Sequence, residues 1–569
     1  MIRCALISLT ATLTFLNSAD VAGQVAPVAA RSSSLTSAAL QQVEQAAGLI
    51  RTATVRILSG TDRCSGVIVS EHGHVLTTAH GLHVKGDVQS GDPNGGQLIT
   101  RDSRDPEVRD PEVTVVLDDG RRLFADVLLC DQDQDVAVVQ LRMDAETANR
   151  MKVRTVLRPA LSDHVLPGTV VLAAGCPGKD DDGAGPVVRL GTVRGADRRQ
   201  FRTSCILTAG DSGGPMVNLS GQLVGLHHRI SAGTTGNVHL RCDSLPASVW
   251  KLCGVSLQQA SPEVTSSGSA SLRPGELVSR RLRELTVRVL ITGQGDSNGE
   301  DSVVASGTRL SDVHVATRLS SLRGIPLTFS EKPLIAVNLS SGATVPCRIA
   351  NTDVSLDLCI LKHERLSGSP LHTELSLPQF GQIVYCAPDA EGTLVARINW
   401  TEPRTDNRIG VRLNGVARDT VTVTEVFPGT AASQARVAVN DQLMEINSTP
   451  IRKLSDVAAA VRPLQPGDWV RFRLQRDGME MASTGQLTHD ALTTFERTEF
   501  LDGLAGQLSD RRTGFARVIQ HGAVLSPPEY GGPVLDHSGR LVGINIARRS
   551  REASLAIPID RAEELMATE

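Results

Sequence analysis

At 569 residues the chain is long enough for about three or four domains. Its 58 Lys and Arg against 62 Asp and Glu leave a net charge of −4, a field that favours neither nucleic acid nor a polybasic hold on a membrane. Ten cysteines are too few for a disulfide scaffold of this length, and with aromatics at 3% the cores fall to Val, Leu, Ile and Ala.

The amino terminus reads as a secretory signal peptide over residues 1–23. Arg3 supplies its positive flank, Ala5 to Leu16 is its apolar stretch, and Val21-Ala-Gly23 are small residues before Gln24. That stretch is too short to span a bilayer, so the product is expected to be exported, periplasmic or secreted. No later segment has the apolar length of a membrane span. Residues 24–42, rich in Ala and Ser, read as a flexible tether.

From about Val43 the pattern becomes short alternating strands: Thr54-Val-Arg-Ile-Leu58, Ser65-Gly-Val-Ile-Val69, Asp135-Val-Ala-Val-Val-Gln-Leu141. Glycine turns separate them, and the fold class is mainly β, a barrel or sandwich. The first domain spans 43–255. Residues 256–280, rich in Ser, Pro and Gly, read as a linker.

An internal repeat follows. Ser65-Gly-Val-Ile-Val-Ser70 returns as Ser306-Gly-Thr-Arg-Leu-Ser311. Asp135-Val-Ala-Val-Val returns as Asp357-Leu-Cys-Ile-Leu, and Gly213-Gly-Pro-Met-Val as Gly531-Gly-Pro-Val-Leu. From Asp135 to Ser212 is 77 residues, but from Asp357 to Tyr530 is 173; the excess of 96 is one small inserted domain. The second copy therefore divides into 281–400 and 490–569 around an insert at 401–489.

Chemistry concentrates in Gly210-Asp-Ser-Gly-Gly-Pro215. A nucleophilic serine needs an exposed hydroxyl, a base within reach and backbone N–H groups for the oxyanion, and flanking glycines permit the tight turn. Ser212 is the candidate nucleophile, with the N–H groups of Gly210 and Ser212 as the oxyanion hole. His80, closing Thr77-Thr-Ala-His80, is the candidate base. Asp135 is the candidate partner of its other ring nitrogen. Asp131 and Asp133 stand close by, but only Asp135 directly precedes the apolar strand.

In that order and context, His80, Asp135 and Ser212 resemble the triad of chymotrypsin-like serine proteases, nearest to the HtrA/Deg branch. The resemblance covers residues 43–250 best and the rest more weakly. It implies a double β-barrel protease, a serine endopeptidase that works through an acyl-enzyme and needs no cofactor or metal. Ile206, six residues before the serine, then lies at the base of the S1 pocket, with Leu226, His227 and His228 along its wall. An apolar or small P1 side chain is expected, since Ile206 pairs with no cation. Gly225-Leu-His227 is also similar to the pocket of glutamyl endopeptidases, where a protonated His227 would pair with a P1 carboxylate.

The second copy has Ser320 about where the histidine belongs and Tyr530 in place of the nucleophile, so only Asp357 persists. It resembles an inactive protease barrel. The insert resembles a PDZ domain, in which Arg408-Ile-Gly-Val411 is the carboxylate-binding loop for a peptide C-terminus. The expected partners are protein and peptide substrates, misfolded or with free C-termini, and a homo-oligomer is left open. The rival reading is a peptide-binding chaperone or scaffold dominated by the PDZ domain and the inactive copy.

Three stretches remain. Val84–Val113 reads as a surface loop, and Lys179-Asp-Asp-Asp-Gly183 as a turn rather than a calcium loop. Cys242 and Cys253 are the one pair to test for a bridge; Gly81 stands where disulfide-bonded relatives carry cysteine.

Overall fold

The computed structural model describes residues 35–60, 62–82, 113–152, 156–177, 185–231, 233, 236–259, 272–291, 302–322, 335–339, 342–363, 375–401, 409–414, 420–427, 430–464, 468–487, 504 and 506–568. The signal-peptide stretch, the interval after Val84 up to residue 112, the turn at 179–183, and Arg408 lie outside them.

Among the described residues, four closed six-stranded barrels and one open six-stranded sheet hold the strands. The first barrel is β1 (Thr54–Ser59), β2 (Asp62–Ile68), β3 (His74–Thr77), β4 (Val113–Val116), β5 (Arg122–Asp131) and β6 (Val136–Leu141), closed in the order β1-β2-β3-β6-β5-β4. The second is β7 (Val170–Gly175), β8 (Val187–Ala196), β9 (Gln200–Thr203), β10 (Pro215–Val217), β11 (Leu223–Arg229) and β12 (Asn237–Arg241), closed as β7-β8-β9-β12-β11-β10.

The repeat reproduces both. Strands β13 (Thr286–Ile291), β14 (Ser302–Arg309), β15 (His314–Arg318), β16 (Ile335–Asn338), β17 (Thr344–Asp353) and β18 (Leu358–Lys362) close in the order of the first barrel. The last barrel opens with β19 (Ile383–Tyr385) and β20 (Thr393–Trp400). Then the insert intervenes, with β21 (Val411–Asn414), β22 (Thr422–Val426), β23 (Gln442–Ile446), β24 (Thr449–Pro450), β25 (Trp469–Arg476) and β26 (Met479–Gln486). The barrel resumes with β27 (Val518–His521), β28 (Pro533–Asp536), β29 (Leu541–Ser550) and β30 (Ala553–Pro558), closed in the order of the second barrel. The insert thus occupies the turn that in the first copy joins β8 to β9.

Strand β6 explains the packing. Ala137, Val139 and Leu141 face the interior of their barrel, while Val136 and Val138 face a core shared with the other barrels. A period-two strand with both faces apolar is what two stacked barrels require. The insert keeps its own core, built on Val423, Leu443, Ile446, Phe472 and Leu474.

Three expectations need correction. The tether 24–42 is not a tether from residue 37 onward. Ser37–Ala53 is a helix, opened by Thr36, whose hydroxyl accepts the Ala39 N–H at 3.2 Å. Its buried face of Ala39, Val43, Ala46, Ala47 and Ile50 recurs at helical spacing, and the Arg51 guanidinium lies 4.7 Å from the Phe380 ring of the second copy. The linker likewise ends early. Glu276–Leu285 is a helix with Val278, Leu282 and Leu285 buried. In both places short apolar spacings inside a polar stretch lay below the composition average that suggested a linker. Cys242 and Cys253 are each buried and free, so the bridge is corrected too. Among the described residues no helix is long and apolar enough to cross a membrane.

Candidate active site

The two barrels of the first copy bring the three sequence candidates together. Thr54–Thr77 and β6 place His80 and Asp135 at one end of barrel one, and the turn before β10 presents Ser212 from barrel two. His80 Nδ1 lies 2.8 Å from Asp135 Oδ2, and its Nε2 lies 3.0 Å from Ser212 Oγ. The His80 backbone N–H also donates to Asp135 Oδ1 at 3.0 Å. Asp135 itself sits in the left-handed region, φ 52°, a conformation an aspartate bears better than most side chains. His80 is half exposed and Asp135 mostly covered, as a base facing substrate and a sheltered carboxylate should be.

A third histidine joins them. His228 Nδ1 stands 2.7 Å from Asp135 Oδ2, so its ring is engaged with the same carboxylate as His80. Burial alone would raise the Asp135 carboxyl, but the hydrogen bonds from His228 and His80 hold it well below the usual carboxylate range. His80, Asp135 and His228 form the only group of potential metal ligands clustered within 4.8 Å among the described residues, and their mutual hydrogen bonds account for that closeness.

The nucleophile turn is wedged between the barrels. Ser65 N–H donates to the Ser212 carbonyl at 2.8 Å, and Ser65 Oγ to the Gly210 carbonyl at 2.7 Å. Gly213 has φ 82°, and a Cβ there would lie 2.3 Å from Thr77 Oγ1 and 2.4 Å from the Ser65 carbonyl, so no side chain fits. With both carbonyls turned toward barrel one, the N–H groups of Gly210 and Ser212 make no hydrogen bond among the described residues. They are available to an oxyanion.

Beneath the serine lies an ion pair that the sequence reading missed. Arg189 on β8 and Asp211 are 3.1 Å apart and almost wholly buried. Burial pushes the Asp211 carboxyl up to about 6, with Arg189 opposing that rise. Asp211 Oδ2 accepts the Thr208 N–H at 2.8 Å, which ties the start of the turn to its end. The signal was present: an arginine inside the apolar run Val187-Val-Arg-Leu190.

Of the remaining pocket candidates, Ile206 and Leu226 are buried. His227 is also fully buried. Its Nδ1 lies 3.0 Å from His239 Nδ1, and His239 Nε2 lies 2.7 Å from Thr203 Oγ1. Burial drives the His227 imidazole well below its ordinary value and His239 to about 3. Burial thus disfavours the charged ring that pairing with a P1 carboxylate needs, and favours the expected apolar or small P1 side chain.

The second copy keeps the scaffold without the chemistry. Ser306 N–H donates to the Tyr530 carbonyl at 3.0 Å and Ser306 Oγ to the Pro528 carbonyl at 2.8 Å, matching the Ser65 bonds. Asp357, φ 55°, accepts from Ser320 Oγ at 2.7 Å and pairs with Arg318 at 3.1 Å. Tyr530 is buried under the Arg318 guanidinium, 4.9 Å from its ring. Pro528 stands where the first copy has Gly210 and carries no N–H.

In the insert, Ile409 is buried and Val411 opens β21, which among the described residues stands at one edge of the sheet order β21-β22-β23-β25-β26. Gly410 has φ 88° and packs on Thr430, so the loop requires glycine there.

Comparison with known proteins agrees with both parts. The trypsin-like peptidase domain matches residues 64–226, and the PDZ domain matches residues 407–484. A putative protease Do-like 14 of Arabidopsis thaliana is 30% identical over 178 residues, 29% of this chain and 34% of that one. A probable periplasmic serine endoprotease DegP-like of Ectopseudomonas mendocina (strain ymp) is 25% identical over 444 residues, 73% of this chain and 77% of the other. The periplasmic pH-dependent serine endoprotease DegQ of Escherichia coli (strain K12) is 22% identical over 376 residues, covering 61% and 69%. The chain thus spans about a third of the plant relative and about three quarters of the DegP-like one.

Proposed function

We propose, on the premise that this chain is an HtrA/Deg-like protease with a PDZ domain, that it is an exported serine endopeptidase acting on protein substrates. The observation that carries the reading is the relay Asp135–His80–Ser212 beside two unengaged N–H groups. His80 Nε2 takes the Ser212 hydroxyl proton as Oγ bonds to the scissile carbonyl carbon. The carbonyl oxygen becomes an oxyanion held by the Gly210 and Ser212 N–H groups. His80 then gives the proton to the leaving amine, the C–N bond breaks, and an acyl-enzyme remains for water to hydrolyse by the same steps. Asp135 keeps the imidazole oriented with Nδ1–H toward itself and stabilises the imidazolium.

The edge strand β21 supports peptide capture by strand addition, with Ile409, Gly410 and Val411 at its start. Proteins with exposed C-terminal segments are then the substrates, consistent with protein quality control outside the cytoplasm. A fluorophosphonate should label Ser212, and Ser212→Ala should abolish casein cleavage. Equal cleavage by the alanine variant would overturn the assignment of Ser212; no cleavage by the wild-type chain, with Ser212→Ala still binding C-terminal peptides, would leave the chaperone or scaffold reading, in which β21 and the silent copy do the binding.

A further inference from the structure

We propose that the silent second copy positions the substrate wall of the first through Arg551, making it an obligatory partner in cis for peptide cleavage. The inference rests on the protease reading of the first copy. Strand β11 carries His228 to Asp135, and its His227 carbonyl accepts the Gly213 N–H at 2.8 Å, next to the nucleophile. Beyond Arg229 the chain runs through Ser231, Gly233 and Gly236 before β12 begins at Asn237. Gly233 and Gly236 have φ of 79° and 84°, a region that favours glycine, and the described residues Ser231 and Gly233 have a hold from outside their own barrel.

That hold comes from the turn between β29 and β30. Arg551 is 1% exposed, and its Nη2 donates to the Ser231 carbonyl at 2.6 Å and the Gly233 carbonyl at 2.5 Å. It also approaches Asn237 Oδ1 at 3.4 Å, and that oxygen in turn accepts the Ser231 N–H at 3.3 Å. The Gly233 N–H donates to the Leu504 carbonyl at 3.1 Å, a second bond to the second copy. A buried guanidinium is stable only where oxygens take up its protons, so Arg551 and the segment fix one another.

The anchor is itself braced. Arg548 Nη2 donates to the Arg551 carbonyl at 3.2 Å, and Arg548 N–H to Ser509 Oγ at 2.8 Å. Glu552, the next residue, is 4% exposed and acts electrostatically on Asp211 beside the serine. The silent copy therefore meets the active one at the β11 extension and close to the nucleophile turn.

The test compares two reactions of the full chain. Diisopropyl fluorophosphate phosphorylates Ser212 Oγ with loss of fluoride and presents no P1 side chain, whereas a peptide amide needs the wall. Arg551→Met should lower kcat/KM for an apolar-P1 peptide by about tenfold or more, chiefly through KM, with the fluorophosphate rate within about threefold of wild type. Arg551→Lys, a single-point donor, should restore part of the loss. Should Arg551→Met lose its cooperative melt, Asn237→Ala probes the same contact from the first copy and should show the same split. Peptide cleavage within about twofold of wild type, or equal losses in both reactions, overturns the proposal. An unlabelled wild-type Ser212 overturns the protease reading itself, and the clamp with it.

Discussion

Asp135 is shared by two histidines: His80 Nδ1 at 2.8 Å and His228 Nδ1 at 2.7 Å both reach its Oδ2. The carboxylate is thereby held from two sides, and its ionised form is favoured. His228→Leu removes one hydrogen bond and exposes Asp135 to slack. The expected outcome is a fall in kcat of about tenfold with KM nearly constant, since the imidazole of His80 loses orientation rather than binding surface. Asp135→Asn should cost far more, about ten-thousandfold, through the wrong tautomer. Steady-state kinetics on one peptide settles both, and an unaffected His228→Leu enzyme would remove His228 from the catalytic unit.

The Arg189–Asp211 pair makes a pH-dependent stability prediction. Burial raises the folded Asp211 carboxyl from 3.8 to about 6, so stability from this group is complete below its unfolded value and declines as pH rises through the folded one. Arg189→Met removes the opposing cation, raises the carboxyl further and extends that decline. The variant should lose about 3–5 kcal/mol at pH 8 and distinctly less at pH 5. Urea denaturation at both values measures the gap, and an equal gap would mean that Asp211 does not titrate.

Burial disfavours the charged form of His227, which favours an apolar P1 side chain. Peptides with Leu or Val at P1 should be cleaved at least about tenfold faster than the Glu analogue, at pH 5 as at pH 8. A Glu preference appearing at the lower pH would mean that His227 protonates in the complex.

The second copy should resist revival. On a Ser212→Ala background, Ser320→His with Tyr530→Ser restores the residue types of a triad, yet Arg318 still occupies Asp357 and Pro528 still offers no N–H. No fluorophosphonate labelling is expected. Labelling would show that the lost oxyanion donor is dispensable.

Free, buried thiols predict insensitivity to reductant. Burial pushes the Cys64 thiol up to about 12, and Cys242 and Cys253 are unbridged, so dithiothreitol should leave the melting temperature unchanged. A fall of several degrees would restore the Cys242–Cys253 bridge.

What the sequence determined by itself was chemical identity at short range. Gly210-Asp-Ser-Gly-Gly-Pro215, Thr77-Thr-Ala-His80 and the Asp135 strand each carry their roles in local pattern, and the repeat displayed both copies and the insert between them. Strand alternation was equally local, since inward and outward residues differ by one position along the chain. The tertiary structure decided what depends on partners distant in sequence. His228 meets Asp135 where a register shift interrupts the pairing of β11 with β12. Arg189 finds Asp211 across 22 positions, and Arg551 reaches Ser231 across 320. Side chains at such separations meet only after the barrels close, and whether a buried charge is a partner, a strut or a liability is settled by which oxygens surround it then. The same holds for His227, whose charged form is disfavoured by burial beside His239, which its place in Gly225-Leu-His227 does not reveal.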